Sequence, residues 1–182
     1  MITSARQRFI SQQRIFLAPG LYFHADHSGI DYTALPPVLQ KAHNQRLLRQ
    51  YDLPLPTART PTLPDMVTGR WSLLPEIAWV LGIIQHTPKL PWWLQTSRYV
   101  VLHQYATQCA LPQTLEASSP REVLAGGAAQ LLSCLTPFGS EYTVRASFMF
   151  SHAVRNYVTD VPAQTTLPWN IFVQACHAVG DN

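Results

Sequence analysis

His24, Asp26 and His27 fall within four residues of one another, in the run His24-Ala25-Asp26-His27, and are the tightest cluster of metal-capable side chains in the sequence. A metal site needs three or four ligands in a fixed geometry, so a further group such as His43 would have to join them. One reading is a small metal-dependent hydrolase using His24, Asp26 and His27. The other is a polar turn, in which Asp26 accepts from backbone donors ahead of Gly29. No second spaced pair of Cys or His supports the metal. Cysteine chemistry has less behind it, because a thiolate nucleophile needs an adjacent base. Cys176 and His177 are sequence neighbours and point to different faces of a helix, and Cys109, six residues past His103, does not face it. With no CxxC pair, Cys109, Cys134 and Cys176 read as small buried hydrophobes in a reducing compartment.

Serine and phosphate chemistry lack their loops. No G-x-S-x-G elbow occurs, and Phe138-Gly139-Ser140-Glu141 has the form of a helix cap. Gly126-Gly127 has neither a strand before it nor Lys-Ser/Thr after it. The residues therefore predict no catalytic set, no bound metal and no cofactor.

The elements that must position these residues read as helices cut by prolines. The sequence has 15 prolines and 8 glycines. Helical spacing covers Ser4 to about Leu17, and Pro19-Gly20 stops it. Leu21 to Ile30 is a short aromatic connection, a turn or a brief helix. Leu35 to Tyr51 is a better helix, with Pro36 and Pro37 at its start and Val38, Leu39, Ala42, Leu47 and Leu48 as apolar positions. Leu53 to about Arg70 carries Pro54, Pro56, Pro61 and Pro64 and is expected as an extended crossing. Ser72 would cap a helix to about His86 that is apolar all round, the mark of a central core helix. Trp92 to about Leu111 resumes the pattern, although Tyr99 to Leu102 also suits a short strand. Ser119-Pro120-Arg121-Glu122 has the form of a capping box, opening a helix to Leu135 whose Ala125-Gly126-Gly127-Ala128-Ala129 face allows close packing. Ser140 would cap a helix to about Tyr157, and Thr166 to about Val179 closes the chain. The fold predicted is all-α: a compact irregular bundle of about six or seven helices with proline-rich connections, one domain over residues 1–182.

Composition then narrows the role. Of 182 residues, 47% are hydrophobic and 13% charged, with a net charge of +3; soluble domains carry about 25% charged residues. Disorder is excluded by the high apolar content. The longest apolar run, Ile77 to Ile84, is too short for a membrane span, and no secretory apolar region follows Arg6, Arg8 and Arg14. A charge of +3 is a weak footprint for nucleic acid. Eleven of the thirteen basic residues are Arg and only Lys41 and Lys89 are Lys, and many Arg with Trp and Tyr is the bias of protein–protein interface cores. Candidate contact residues are Arg6, Arg14, Arg46, Arg49, Trp92, Trp93 and Arg98. Trp92 and Trp93 cannot both face one helix core, since neighbouring helical positions diverge by about 100°.

Three ordered patches carry a resemblance. Pro19-Gly20-Leu21-Tyr22-Phe23-His24 resembles the Pro-x-x-Tyr-x-His element of the K component of bacterial type III secretion sorting platforms. Asn44-Gln45-Arg46-Leu47-Leu48-Arg49-Gln50-Tyr51-Asp52-Leu53 is similar to that family's Asn-x-x-Leu-Leu segment, which closes on an aromatic (here Tyr51) and a Leu. Leu74 to His86 resembles its apolar helix with a Leu-Gly pair, Leu81 and Gly82, and a closing His86. The patches span about the first ninety residues. The resemblance implies a non-catalytic accessory protein in the cytoplasm, peripheral at the inner-membrane base of the secretion machine. Its implied partners are the cytoplasmic domain of the inner-membrane ring protein and the pod component of the platform. A secretion chaperone is the remaining alternative, and would more often be acidic and contain a sheet. Pro19, Tyr22 and His24 suit a folding motif as well as a contact: the proline sets a turn, Tyr22 fills core and His24 bonds to backbone.

Overall fold

A computed structural model describes residues 12–57, 59–86, 89–95, 100–160 and 166–180. Arg6, Arg98 and the expected start of the first helix lie outside these residues. Among the described residues there is no strand. The one ladder contact is an isolated parallel bridge between His86 and Leu115.

The chain is all-α, but the described residues form ten α-helices, not six or seven. They are α1 (residues 12–17), α2 (Ala25–Ser28), α3 (Pro37–Gln50), α4 (Asp65–Thr68), α5 (Leu74–Gln85), α6 (Val100–Gln108), α7 (Pro120–Leu135), α8 (Ser140–Ser147), α9 (His152–Asp160) and α10 (Trp169–Gly180). Three helices account for the excess. The connections before α3 and α5 each contain a single helical turn, α2 and α4. The helix expected from Ser140 to Tyr157 is two helices, α8 and α9, with a break at Phe148–Ser151. That break has a packing cause. Phe148, Met149 and Phe150 are all buried, and a continuing helix would spread three successive side chains around its circumference. Tight turns instead carry the chain out of the helix, with Phe148 N–H on Arg145 O and Met149 N–H on Ala146 O.

Other boundaries shift for local reasons. Ser72 does not cap α5: it lies in a 3-10 turn, Trp71–Leu73, and α5 opens on Leu73 with Pro75 near its start, where a missing N–H costs nothing. Ser140 is the first residue of α8 and Gly139 its cap, at a φ of 113° that suits only glycine. Residues 100–102 are helical, so the alternative strand there does not form. The capping box on α7 does form, with Glu122 N–H donating to Ser119 Oγ (3.4 Å) and Ser119 N–H to Glu122 Oε2 (3.3 Å). Two helices end in a left-handed residue other than glycine. After α3, Asp52 takes a φ of 43°, with Leu53 N–H on Leu48 O and Asp52 N–H on Arg49 O. After α6, Ala110 takes a φ of 51°, with Leu111 N–H on Ala106 O and Ala110 N–H on Thr107 O. Both are Schellman ends.

The chain divides into two compact units. The first comprises Met1–Ser72 and Leu135–His152, and the second Leu73–Cys134 and Ala153–Asn182. In the first, Phe23, Leu47, Leu53 and Phe148 form a cluster edged by Tyr22, Leu48, Tyr51 and Val144. In the second, α5 is the centre, with Ile77, Ala78, Leu81, Gly82 and Ile83 buried. Here α5 and α7 meet backbone to backbone. A Cβ on Gly127 would lie 1.7 Å from Ala78 O, and one on Gly82 would lie 2.1 Å from Val123 O. Gln130, fully buried on α7, accepts from Leu167 N–H (2.9 Å) and ties down the approach to α10.

Two substitutions are expected to move stability in opposite directions. Gly127→Ala forces α5 and α7 apart and should cost at least about 1–3 kcal/mol of overpacking. Ala110→Gly relieves a left-handed alanine and should gain about 1 kcal/mol. Urea midpoints of the two variants check both signs. An unchanged midpoint for Gly127→Ala is incompatible with the crossing described.

Candidate protein-binding surfaces

The first two sequence patches are built into each other. Gly20 N–H donates to Asn44 Oδ1 (2.8 Å), and Asn44 Nδ2 donates to Tyr32 OH (2.9 Å). Gly20 must be glycine, because a Cβ there would lie 2.3 Å from the Tyr32 ring. Tyr22 packs edge-on to Phe23 and Trp71, and its hydroxyl donates to Ile15 O. Burial pushes its pKa up, against the pull of the Arg145 guanidinium. Phe23 stacks on Phe148 at 4.9 Å, and Tyr51 OH donates to His27 O (3.0 Å). Pro19, Asn44 and Leu47 are buried, and Leu48 is partly so. The third patch lies wholly in the second unit: Leu81 and Gly82 in the α5 core, and His86 buried at its end. The motif residues thus spend their side chains on folding contacts.

The chemical candidates are spent in the same way. His24, Asp26 and His27 do not converge on one point. His24 caps α2, its Nδ1 accepting from Asp26 N–H (3.2 Å). Asp26 Oδ2 accepts from His152 N–H (3.0 Å), which holds its carboxyl below the usual range. His27 turns inward, Nε2 donating to Phe150 O (2.9 Å), with its ring 4.3 Å from that of His152. Among the described residues no group of three His, Cys, Asp or Glu could hold a metal. His43 meets Ser28 instead, Nε2 lying 3.1 Å from Ser28 Oγ.

That Ser28–His43 pair resembles a nucleophile and base but is wired the other way. Ser28 Oγ gives its proton to Ile30 O (3.1 Å), so it accepts from His43 Nε2–H. His43 Nδ1 then accepts from Arg46 Nη2 (3.3 Å), which also donates to Ser28 O (2.9 Å). A base needs a free lone pair facing the serine and a carboxylate behind it; here a cation stands behind it. Burial first, then Arg46, presses the His43 pKa down. Two cysteines are buried as expected, Cys134 with its thiol pushed up to about 11 by burial. Cys109 is the exception: it is exposed, because α6 buries His103 and Ala106 and has ended by residue 108.

What faces solvent is different in kind. In the first unit, Arg14, Arg46 and Arg49 are exposed. The apolar positions read onto α3 are only half right: Leu47 is buried, while Val38 is 80% and Leu39 52% exposed. The physical reason is that polar His43 and Asn44 take the inward positions through their hydrogen bonds, turning Val38, Leu39 and Ala42 outward. Lys41, exposed on the flank of that outward face, is a further cation that spacing alone does not single out, since it stands three residues before the buried Asn44. In the second unit, Trp92 is 81% exposed while Trp93 is half-buried and Leu94 buried, so the pair divides between solvent and protein. No described helix is long and apolar enough to cross a membrane.

Residues 12–177 match the family described as bacterial type III secretion apparatus protein (OrgA_MxiK). No curated protein and no solved structure matches the chain significantly.

The His43 arrangement makes stability depend on pH in a stated direction. Its folded pKa lies below the unfolded value of about 6.5. The stability from neutral His43 is therefore complete above that value and is lost as pH falls towards the folded pKa. Urea midpoints should fall between about pH 7.5 and about pH 5.5, and His43→Gln should flatten the fall. An equal slope in the variant would assign the acid sensitivity elsewhere.

Proposed function

The chain belongs to the OrgA_MxiK family of bacterial type III secretion apparatus proteins, and from that premise we propose that it is a non-catalytic adaptor of the sorting platform. In this reading it works as one adaptor in the cytoplasm, at the inner-membrane base of the injectisome. One surface holds the cytoplasmic domain of the inner-membrane ring protein and another holds the pod component. The observation that carries the reading is the family match over residues 12–177, nearly the whole chain.

Side-chain chemistry supports it. His24, Asp26, His27, His43 and Ser28 are engaged in capping and folding contacts, and the His43 polarity opposes serine activation. Both units nevertheless present surface of the kind partners cover: the outward stripe of α3 in the first, and Trp92 in the second. Large exposed aromatic and Arg side chains are the groups on which interface energy concentrates. Arg14, Arg46, Arg49, Trp92 and Trp93 are the contact residues proposed.

The test is a pull-down of the pod protein from a strain lacking only this chain. Association of the pod with the ring protein is expected to disappear, and to return when the chain is supplied from a plasmid. Association that persists without the chain rejects the bridging role.

A further inference from the structure

α3 presents one face to the core and the opposite face to solvent. Its inward stripe is His43, Asn44 and Leu47. Its outward stripe follows helical spacing through Val38, Ala42, Gln45 and Arg49, flanked by Leu39, Lys41 and Arg46. The stripe is apolar in its first turns, where Val38 and Leu39 are exposed, and cationic further on. From Val38 to Arg49 it runs about 16 Å at 1.5 Å per residue. No residue of α3 carries a carboxylate, and none stands in its first turn, where a helix dipole would favour one. Among the described residues Lys41 and Arg49 have no hydrogen-bond or ion-pair partner, while Arg46 commits Nη2 to Ser28 O and His43 Nδ1. The side chains of Ala42, Gln45, Arg46, Arg49 and Gln50 bound a shallow, open depression on this face of the helix.

We propose that this outward stripe of α3 is the docking surface for an acidic, amphipathic helical segment of a protein partner. The partner's apolar side chains lie over Val38, Leu39 and Ala42, and its carboxylates over Lys41, Arg46 and Arg49. The proposal rests on the adaptor reading for its biological setting and adds the chemistry of one partner. Charge complementarity selects the occupant: three cations with no acid among them leave a field that only a negative segment neutralises. Residues 1–11 of this chain contain Arg6 and Arg8 and no carboxylate, so charge excludes them. A lipid surface fits less well. Membrane-lying helices keep an apolar row along their whole length with cations beside it; here apolar and cationic residues follow one another along the axis.

The probes are a synthetic amphipathic helix of leucine, alanine and glutamate, and its twin with lysine for every glutamate, titrated into the full chain by fluorescence anisotropy. The acidic peptide should bind at least about ten-fold tighter than its twin, and weaken as salt rises and the Debye length shortens. Lys41→Glu with Arg49→Glu should remove that preference, and Val38→Ser with Leu39→Ser should weaken the acidic peptide several-fold. All four side chains are exposed, so unchanged circular dichroism and melting should accompany both variants. Equal binding of the two peptides, or an acidic affinity untouched by the charge reversal, overturns the proposal. So does capture of phosphatidylglycerol vesicles through these four residues in preference to the acidic peptide. The outcome is separable from the adaptor reading: persistence of ring–pod association without the chain rejects bridging, whereas the peptide titration judges α3 alone.

Discussion

The first unit is organised around one buried cation. Arg145 is fully buried on α8, a position that arginine seldom takes without a carboxylate partner. Its guanidinium is held by backbone: Nη1 donates to Pro54 O (2.5 Å) and Glu141 O (3.0 Å), Nη2 to Phe16 O (3.4 Å). The same group lies 4.9 Å from the centre of the Phe16 ring and beside the Tyr22 hydroxyl. Burial lowers its pKa, against the pull of Tyr22 and Glu141. The carbonyls of Pro54 and Phe16 lie outside any helix ladder that continues past them, and leaving a buried one unsatisfied costs about 1–3 kcal/mol. Three stretches far apart in sequence, the end of α1, the proline-rich connection after α3 and α8, therefore share one donor. Proline explains why such a donor is needed. A segment holding Pro54 and Pro56 forms no ladder or helix of its own, so its carbonyls must find partners elsewhere.

A second unpaired economy governs the second unit. Gly82 and Gly127 remove the side chains at the α5–α7 crossing, and the carbonyls of Ala78 and Val123 occupy the space. The loop after α6 then closes over the end of α5. Leu115 N–H donates to Gln85 O (3.1 Å), Gln113 Nε2 to Ile84 O (3.4 Å) and Gln85 Nε2 to Thr114 Oγ1 (3.2 Å). The last carbonyls of a helix lack internal partners, and here a buried helix end gains them from one loop N–H, of Leu115, and one neutral side chain, Gln113. Neutral polar side chains thus satisfy buried backbone in a chain with few charged residues. Asn44, Gln113 and Gln130 each bond to backbone in this way, and none of them adds net charge.

Much of this order was legible beforehand. The small-residue face of α7, the capping box at Ser119 and the apolar girth of α5 each follow from local spacing. The resemblance motifs are local runs of residues, although Gly20, Phe23 and Tyr51 within them make contacts far along the chain. What escaped was decided by distant partners. Nothing near Phe148-Met149-Phe150 announces that all three will be buried and the helix broken, since the demand comes from Phe23, His24 and His27 far earlier in the chain. Likewise Val38 and Leu39 look like core until His43 and Asn44 claim the inward positions through Ser28, Tyr32 and Gly20. Single turns such as α2 are too short to stand out by periodicity; α2 forms through its local His24 cap together with the distant bond from His152 N–H to Asp26.

That inversion on α3 connects fold to function. Two apolar side chains are displaced to the surface because polar residues are needed inside, where Asn44 joins two motif segments and His43 holds Ser28. The displacement leaves an exposed Val38 and Leu39 immediately ahead of Lys41, Arg46 and Arg49. Scattered exposed apolar residues are ordinary, but these share a helix with Lys41 and Arg49, which have no partner among the described residues, and the helix carries no acid of its own. The sequence motif and the docking stripe are then two faces of one helix. Selection on either constrains the other, because changing Asn44 or His43 would rotate or loosen the helix that presents the cations. A family motif with no catalytic residue in it can therefore still be read functionally: it fixes the register of the surface on its far side.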